Sequence, residues 1–439
     1  MTPSLLNSRI RSTEIRQHIG ERVLLAGWLH QLRRLGRLNF LILRDGTGTC
    51  QVVLTDPDEL AKLKGLQMES VLAVEGTVVA EPQAPGGVEV HDPHITVLSA
   101  VSEPTPFELN KPVLKPNLDL FLDHAPIGLR HLHKRAIFRL FAALLSTFRE
   151  FLDAEGFVEV QTPKLVGSAT EGGANVFRVD YFGRPAFLAQ SPQFYKQIMV
   201  GVFERVYEVG PVFRAEPHDT IRHTNEYVSL DVEMGFIEDH HTVMALLARL
   251  MRHLLARLQE RHGEELAFLG VAMPVVGDPI PILHFREAQE LIRQRFGEDC
   301  RGEPDLAPQH ERWLGEIART DYGSDLLFVT GYPTVKRPFY TYVDPQDPTY
   351  TYGFDLLFRG CEIATGGQRL HRYAQLVAAL EQRGLDPADF AYYLEAFQYG
   401  MPPHGGFAIG AERLLMQLTG AENLRETTLF PRDTSRLTP

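Results

Sequence analysis
An arginine and a carboxylate two residues apart, Arg214 and Glu216, head the segment of this chain richest in groups that could handle a nucleotide. Val212-Phe213-Arg214-Ala215-Glu216 reads as a strand, and alternate residues of a strand share a face, so both side chains can enter one cleft. Arg222 and His223 add charge across a loop, Tyr227 offers an aromatic face for a base, and Asp231-Val232-Glu233 closes the segment with further carboxylates. A cation fixed on a rigid element can hold a phosphate that gathers charge during reaction. Such a set suits nucleotide activation, although an Arg-x-Glu strand by itself serves equally well as a surface ion pair.

Two other segments have the same flavour. Gly405-Gly406-Phe407-Ala408-Ile409-Gly410-Ala411-Glu412-Arg413 reads as a glycine-bearing strand running into a helix. Glycine has no Cβ to block a nucleotide, and the arginine can meet a terminal phosphate while its flat face covers a base. Upstream, Glu155-Gly156-Phe157-Val158-Glu159-Val160-Gln161-Thr162-Pro163 ends a long helix, makes a strand and stops at a proline. Alone, each is an ordinary cap or turn. In chain order the three resemble motifs 1, 2 and 3 of the class II aminoacyl-tRNA synthetases. That resemblance implies an ATP site built from Arg214, Glu216, Arg222, His223, Tyr227, Glu362, Gly410 and Arg413, with Arg214 and Arg413 as the catalytic cations. It also implies a homodimer formed through motif 1.

Gln190-Ser191-Pro192-Gln193-Phe194-Tyr195-Lys196 and Glu362-Ile363-Ala364-Thr365-Gly366-Gly367-Gln368-Arg369 resemble the aspartate-specific branch, the short archaeal-type aspartyl-tRNA synthetases. There Lys196 and Arg369 receive the substrate side chain, while Glu171, Gln193 and Asp231 hold its α-ammonium. Two buried cations in a dry pocket demand an anion, which favours L-aspartate over asparagine. Asp355 and Glu362 are expected on adjacent strands as carboxylates for Mg²⁺, which takes one or two such ligands and fills the rest with phosphate and water. The implied reaction is attack of the aspartate carboxylate on the α-phosphate of ATP, followed by transfer to the 3′ end of a tRNA.

The elements that must position these groups fall into three parts. Short runs at Val23 to His30, Phe40 to Arg44, Cys50 to Leu54, Val71 to Val79 and Val88 to Leu98, broken by Asp45-Gly46-Thr47-Gly48 and Pro85-Gly86-Gly87, predict a five-stranded OB-fold barrel over residues 1–105. Such a face binds single-stranded nucleic acid. A proline-dotted stretch predicts a hinge over 106–132. An α+β catalytic domain of class II type, an antiparallel sheet flanked by helices, is expected over 133–439, opening on a helix striped by Ile137, Phe141, Leu144, Phe148 and Leu152. His240-His241 reads as the solvated first turn of a helix rather than a metal pair.

With 439 residues and 44% hydrophobic content the chain has room for two or three globular domains. No apolar run approaches membrane-spanning length and no signal-peptide core is visible, so a cytoplasmic protein is expected. Cys50, Cys300 and Cys361 stand singly without metal-ligand spacing. The net charge of −12 argues against a general nucleic-acid coater, yet a tRNA enzyme needs only a local basic surface such as Arg33-Arg34-Leu35-Gly36-Arg37.

The barrel carries the question of tRNA choice. His30, Arg33, Phe40 and Pro85 are expected to contact the anticodon. His30 follows Trp28-Leu29 where strictly tRNA-Asp-specific relatives tend to have a second tryptophan, and Pro85 resembles the relaxed kind. The resemblance therefore implies charging of tRNA-Asn as well as tRNA-Asp, the former product passing to an amidotransferase. A strictly tRNA-Asp-specific enzyme, an asparaginyl-tRNA synthetase and a synthetase-like RNA-binding protein without activity are the alternatives.

Overall fold
The computed structural model describes residues 6–35, 38–167, 175–217 and 220–439. Glu171, expected over the amino acid, lies outside them. The chain divides into two compact units, residues 1–131 and 132–439.

In the first unit, runs with apolar residues on one face close into a barrel: β1 (Arg22–Leu35), β2 (Leu38–Arg44), β3 (Thr49–Leu54), β4 (Val71–Ala80) and β5 (Val88–Ser99), in the order β1-β2-β3-β5-β4. Leu25, Leu29, Leu41, Val52, Leu72, Val74 and Val90 fill its interior. The β2–β3 turn is held by Asp45, whose carboxylate accepts from the amides of Ser12, Thr47 and Gly48. Burial would raise its pKa, but these donors outweigh it and bring it to about 2. The strands match the expected runs except that β1 runs on past His30 to Leu35. A bulge lets it do so: Leu29 pairs with Leu43 and Gln31 with Ile42, leaving His30 unmatched. The expected hinge stretch groups with this unit and carries two short helices, Leu118–Asp123 and Ala125–Gly128.

The second unit opens on the expected helix, Leu132–Ala154, whose Ile137, Leu140, Leu144, Phe148 and Leu152 are buried. Gly156, at φ +78°, turns the chain out of it into β6 (Val158–Glu159). Then come β7 (Leu165–Val166), β8 (Arg178–Tyr181), β9 (Arg184–Leu188), β10 (Arg205–Phe213), β11 (Glu226–Gly235), β12 (Ile282–His284), β13 (Leu326–Thr330), β14 (Gly353–Phe358), β15 (Cys361–Gln368) and β16 (His404–Gly410). Eight of them form one sheet in the order β12-β13-β14-β15-β16-β11-β10-β6, and β7-β9-β8 form a small second one. The large sheet is antiparallel through its centre, as expected, but its edge pairs β10–β6 and β12–β13 are parallel. Leu230, Val232, Phe354, Leu356, Phe407 and Ile409 on its strands pack with the helices Leu132–Ala154 and His240–Arg261 in one core. The opposite face of β11, β15 and β16 is left for the polar groups. No helix among the described residues is long and apolar enough to cross a membrane.

Candidate active site
Two cavities share a wall on that polar face. One, of about 270 Å³, is lined by Arg214, Glu216, Arg222, His223, Tyr227, Glu362, Gly410 and Arg413, together with Ser229, Thr365 and Glu412. All eight residues expected to bind ATP thus meet there. The other, of about 660 Å³, is lined by Gln193, Lys196, Asp231, Arg369, Arg337 and Tyr340 among others. Ser191, Arg214, Glu362, Thr365 and Ala408 face both.

Strand alternation explains most of this convergence. Tyr227, Ser229, Asp231 and Glu233 are every second residue of β11 and so share a face. Opposite them on β16 stand Gly410, Ala408 and Gly406, paired with Ser229, Asp231 and Glu233. Small residues are needed there. A Cβ on Gly406 would lie 2.3 Å from Glu233 Oε2 and 2.0 Å from the Val232 carbonyl oxygen, whereas one on Gly410 would meet only Arg413 Cβ at 3.7 Å. Gly406 therefore makes room for the protein's own carboxylate, and Gly410 keeps the cavity wall low.

Arg214 and Glu216 lie just beyond the end of β10, not within it. They are held instead by Asn225, whose side-chain amide donates to the carbonyls of Arg214 (2.7 Å) and Glu216 (3.1 Å). The Arg214 guanidinium lies over the Tyr227 ring, 5.7 Å from its centroid. Arg413, from the helix Ala411–Thr419, donates to the Glu362 carbonyl at 3.1 Å. Arg222 is tied to Glu311 at 2.5 Å, and the same Glu311 oxygen accepts from the Glu362 amide at 2.9 Å.

In the second cavity the helix Gln193–Phe203 presents Lys196, which is 1% exposed. Its ammonium lies 3.0 Å from Asp231 and 3.3 Å from Glu233. Arg369, following β15, donates from Nε to Glu233 at 3.0 Å and from a terminal nitrogen to the Gly406 carbonyl at 3.1 Å. Burial alone would raise the Glu233 pKa, but the Arg369 and Lys196 charges hold it below the usual range. The expectation of two cations lacking an anion is therefore corrected: Glu233 bridges both. Any carboxylate entering this cavity would have to share them with Glu233.

Asp355 and Glu362 do fall on adjacent antiparallel strands. Asp355 lines neither cavity and pairs with Arg337 at 2.8 Å, while Arg337 stacks on Tyr332 at 3.9 Å. Glu362 faces both cavities, with about a third of its side chain exposed. Burial, and next the Asp355 charge, push its carboxyl up to about 7. A bulge sets its direction: Leu356 pairs with Ala364 and Leu357 with Glu362, which leaves Ile363 unmatched and puts Glu362 and Thr365 on the same cavity walls. Strict alternation would separate them. Among the described residues the cluster with metal-ligand proximity is Asp239-His240-His241, where Asp239 caps the helix by accepting from the His241 amide at 2.8 Å.

The sequence reading gave no role to Glu233, Thr365, Arg337 or Glu311. Glu233 carried a signal, since it stands two residues after Asp231 on one strand face. Arg337 and Glu311 come from a distant loop and helix, and no local spacing marks them.

Of the anticodon candidates, Arg33 on β1 pairs directly with Phe40 on β2, which puts both on one face of the hairpin, and Arg33 is exposed. Pro85 is exposed in the turn before β5. His30, unmatched in its bulge, is only 8% exposed. It is part of the barrel wall, and the expected direct contact with a base would require the wall to open.

Comparison with known proteins places this geometry. The family described as tRNA synthetases class II (D, K and N) matches residues 117–434, and the OB-fold nucleic acid binding domain family matches residues 23–98. The Aspartate–tRNA(Asp/Asn) ligase of Thermus thermophilus is 49% identical over 98% of this chain and 100% of its own. The protein of the same name from Deinococcus radiodurans is 47% identical over 98% of this chain and 99% of its own. Among solved structures, asparaginyl-tRNA synthetase from Pyrococcus horikoshii complexed with asparaginyl-adenylate superposes with a TM-score of 0.91 at 33% identity, covering 98% of this chain and 99% of that one. The chain belongs to the class II aminoacyl-tRNA synthetases of the aspartate, lysine and asparagine group.

Proposed function
We propose that the chain activates L-aspartate with ATP and transfers it to the 3′ end of both tRNA-Asp and tRNA-Asn. The observation that carries the aspartate reading is Lys196 and Arg369 at one cavity whose wall, through Arg214, is also that of the cavity lined by the candidate ATP-binding residues. An amino acid with its side-chain carboxylate on Lys196 and Arg369 and its α-ammonium near Asp231 and Gln193 would direct its α-carboxylate toward Arg214. ATP in the smaller cavity would stack its base between Arg413 and the glycine-bearing β16, leaving its α-phosphate at the same arginine. Arg214 then neutralises charge on the phosphate as the carboxylate adds, and Arg413 steadies the departing pyrophosphate. The donor set fits Mg²⁺ at Glu362, a carboxylate oxygen ligand whose pKa is raised first by burial and then by the Asp355 charge; bound there, the ion would neutralise phosphate oxygens. Asp355, tied to Arg337, would act on it through charge rather than contact.

ATP–pyrophosphate exchange with each amino acid tests this reading. Exchange with aspartate alone and without tRNA is expected, and exchange with asparagine alone would overturn it in favour of the asparaginyl alternative. The protein is read as a cytoplasmic homodimer joined through the segment ending at Pro163, and Asp-tRNA-Asn as a substrate for an amidotransferase. Sedimentation velocity at assay concentration should give the dimer mass; an active monomer refutes that part.

A further inference from the structure
Gln193, Gln197, Tyr393 and His404 form a buried chain of hydrogen bonds that ends at the amino-acid cavity. Gln193 Nε2 donates to Gln197 Oε1 at 3.0 Å, and the Tyr393 hydroxyl donates to the same oxygen at 3.2 Å. Gln197 Nε2 lies 2.9 Å from His404 Nε2, and His404 Nδ1 lies 2.9 Å from the Pro402 carbonyl oxygen. Gln197, Tyr393 and His404 are each 0% exposed.

One end of the chain dictates the rest. A carbonyl only accepts, so His404 Nδ1 must carry the proton. A neutral ring then offers a lone pair at Nε2, which only an N–H can meet. Gln197 must therefore turn its NH₂ to the ring and its oxygen to Gln193 and Tyr393. Gln193 in turn gives its NH₂ to Gln197, and its own oxygen remains for the cavity it lines. No hydrogen bond from a described residue reaches that oxygen. Burial keeps the ring neutral: it brings the His404 pKa down to about 4 despite the nearby Glu233 carboxylate.

We propose that His404 is a positioning residue for the substrate's amine, acting through Gln197 to lock the Gln193 amide with its oxygen toward the α-ammonium. The inference rests on the reading of Gln193 as an amino-acid ligand. A flipped amide would point N–H donors at an ammonium, replacing attraction by repulsion. His404 also packs on Phe397, with ring centroids 5.9 Å apart, so a purely structural role is the competing explanation.

Steady-state exchange with His404→Leu, His404→Gln, Gln193→Leu and a double variant combining His404→Leu with Gln193→Leu separates the two. His404→Gln keeps an acceptor near the Nε2 position. His404→Leu should raise the aspartate KM about tenfold or more, the size of a lost hydrogen bond to a charged group, and leave the ATP KM nearly unchanged. His404→Gln should restore most of the loss. Gln193→Leu should raise the aspartate KM similarly, and the double variant should be no worse than the worse single one, because both remove one interaction. Equal rises in both KM values, failure of His404→Gln to rescue, or additive effects would overturn the relay. A silent Gln193→Leu would remove the reading of Gln193 itself, whereas a damaging Gln193→Leu beside a silent His404→Leu removes the relay alone. Should His404→Leu not fold, Gln197→Leu breaks the same chain from the other side and must show the same selective rise.

Discussion
At the scale of single residues, Arg214 is the side chain that both cavities have in common and that bears a full positive charge between them. Arg214→Ala should leave the circular dichroism spectrum unchanged and lower the exchange rate by a factor of about 10²–10³, the usual cost of one lost donor at a developing charge, about 2.7–4 kcal/mol. A loss below tenfold would move the α-phosphate elsewhere. Arg369 has a double duty if the proposed reading holds, because it neutralises Glu233 and would also receive the substrate side chain. Removing one partner of a buried pair strands the other at about 3–5 kcal/mol. Arg369→Leu should thus lower both Tm and aspartate kcat/KM, and narrow the preference for aspartate over asparagine. Adding Glu233→Gln should recover Tm and not kcat/KM. Recovery of both would show that Arg369 only supports the fold. The sequence made Lys196 and Arg369 legible as types at a recognisable spacing. It did not reveal that Glu233 answers them, since Glu233 and Arg369 are 136 residues apart and meet only through the β11–β16–β15 pairing.

At the scale of elements, the reading succeeded where periodicity was unbroken and failed where a strand slipped by one. The stripe of the helix Leu132–Ala154 and the alternation of β11 were plain in the amino-acid order. The bulges at His30 and Ile363 were not, because an unmatched residue depends on the partner strand as much as on its own. The first leaves His30 unmatched and only 8% exposed, and the second brings Thr365 beside Glu362. The junction of β16 with the helix Ala411–Thr419 makes a further prediction. Glu412, 4% exposed in that helix's first turn, accepts from the Val228 amide at 3.0 and 3.1 Å and so links the helix to β11. Burial pushes its carboxyl up to about 7, the amide bond only partly offsetting it. The folded-state pKa is above the unfolded value, so this group's contribution to stability is fully present below the unfolded pKa and is lost as pH rises through about 7. Glu412→Gln, which cannot ionise and keeps an acceptor for Val228, removes that dependence. Its stability relative to the parent should rise between pH 5 and pH 8 by on the order of 2–4 kcal/mol. Thermal unfolding of both proteins at the two pH values checks this, and a gap that does not change with pH would mean that Glu412 is charged in the fold throughout.

At the scale of the whole molecule, the proposed charging of two tRNAs turns on the first unit, whose barrel matches an OB-fold nucleic acid binding family. The anticodons of tRNA-Asp and tRNA-Asn, GUC and GUU, differ only in the last base, so discrimination depends on the few groups that meet that base. Bases splayed on an OB face are read by stacking and by edge hydrogen bonds, while backbone contacts fix position without reading sequence. The exposed Arg33 beside Phe40 has the form of the second kind of contact next to a stacking ring. Arg33→Ala should therefore weaken charging of both tRNAs by a similar factor, and Phe40→Ala should cost about 1–3 kcal/mol for each. Pro85, exposed and without an amide proton to offer the last base, is the better place to seek selectivity than His30, which is 8% exposed. The parent enzyme should charge both transcripts with comparable kcat/KM. Pro85→Lys, which adds a donor at the turn, should shift the ratio by about tenfold or more, the worth of one base contact. Transcript charging under one salt condition decides it: refusal of tRNA-Asn by the parent enzyme ends the dual reading, and an unchanged ratio in Pro85→Lys moves the reading of the last base away from this turn.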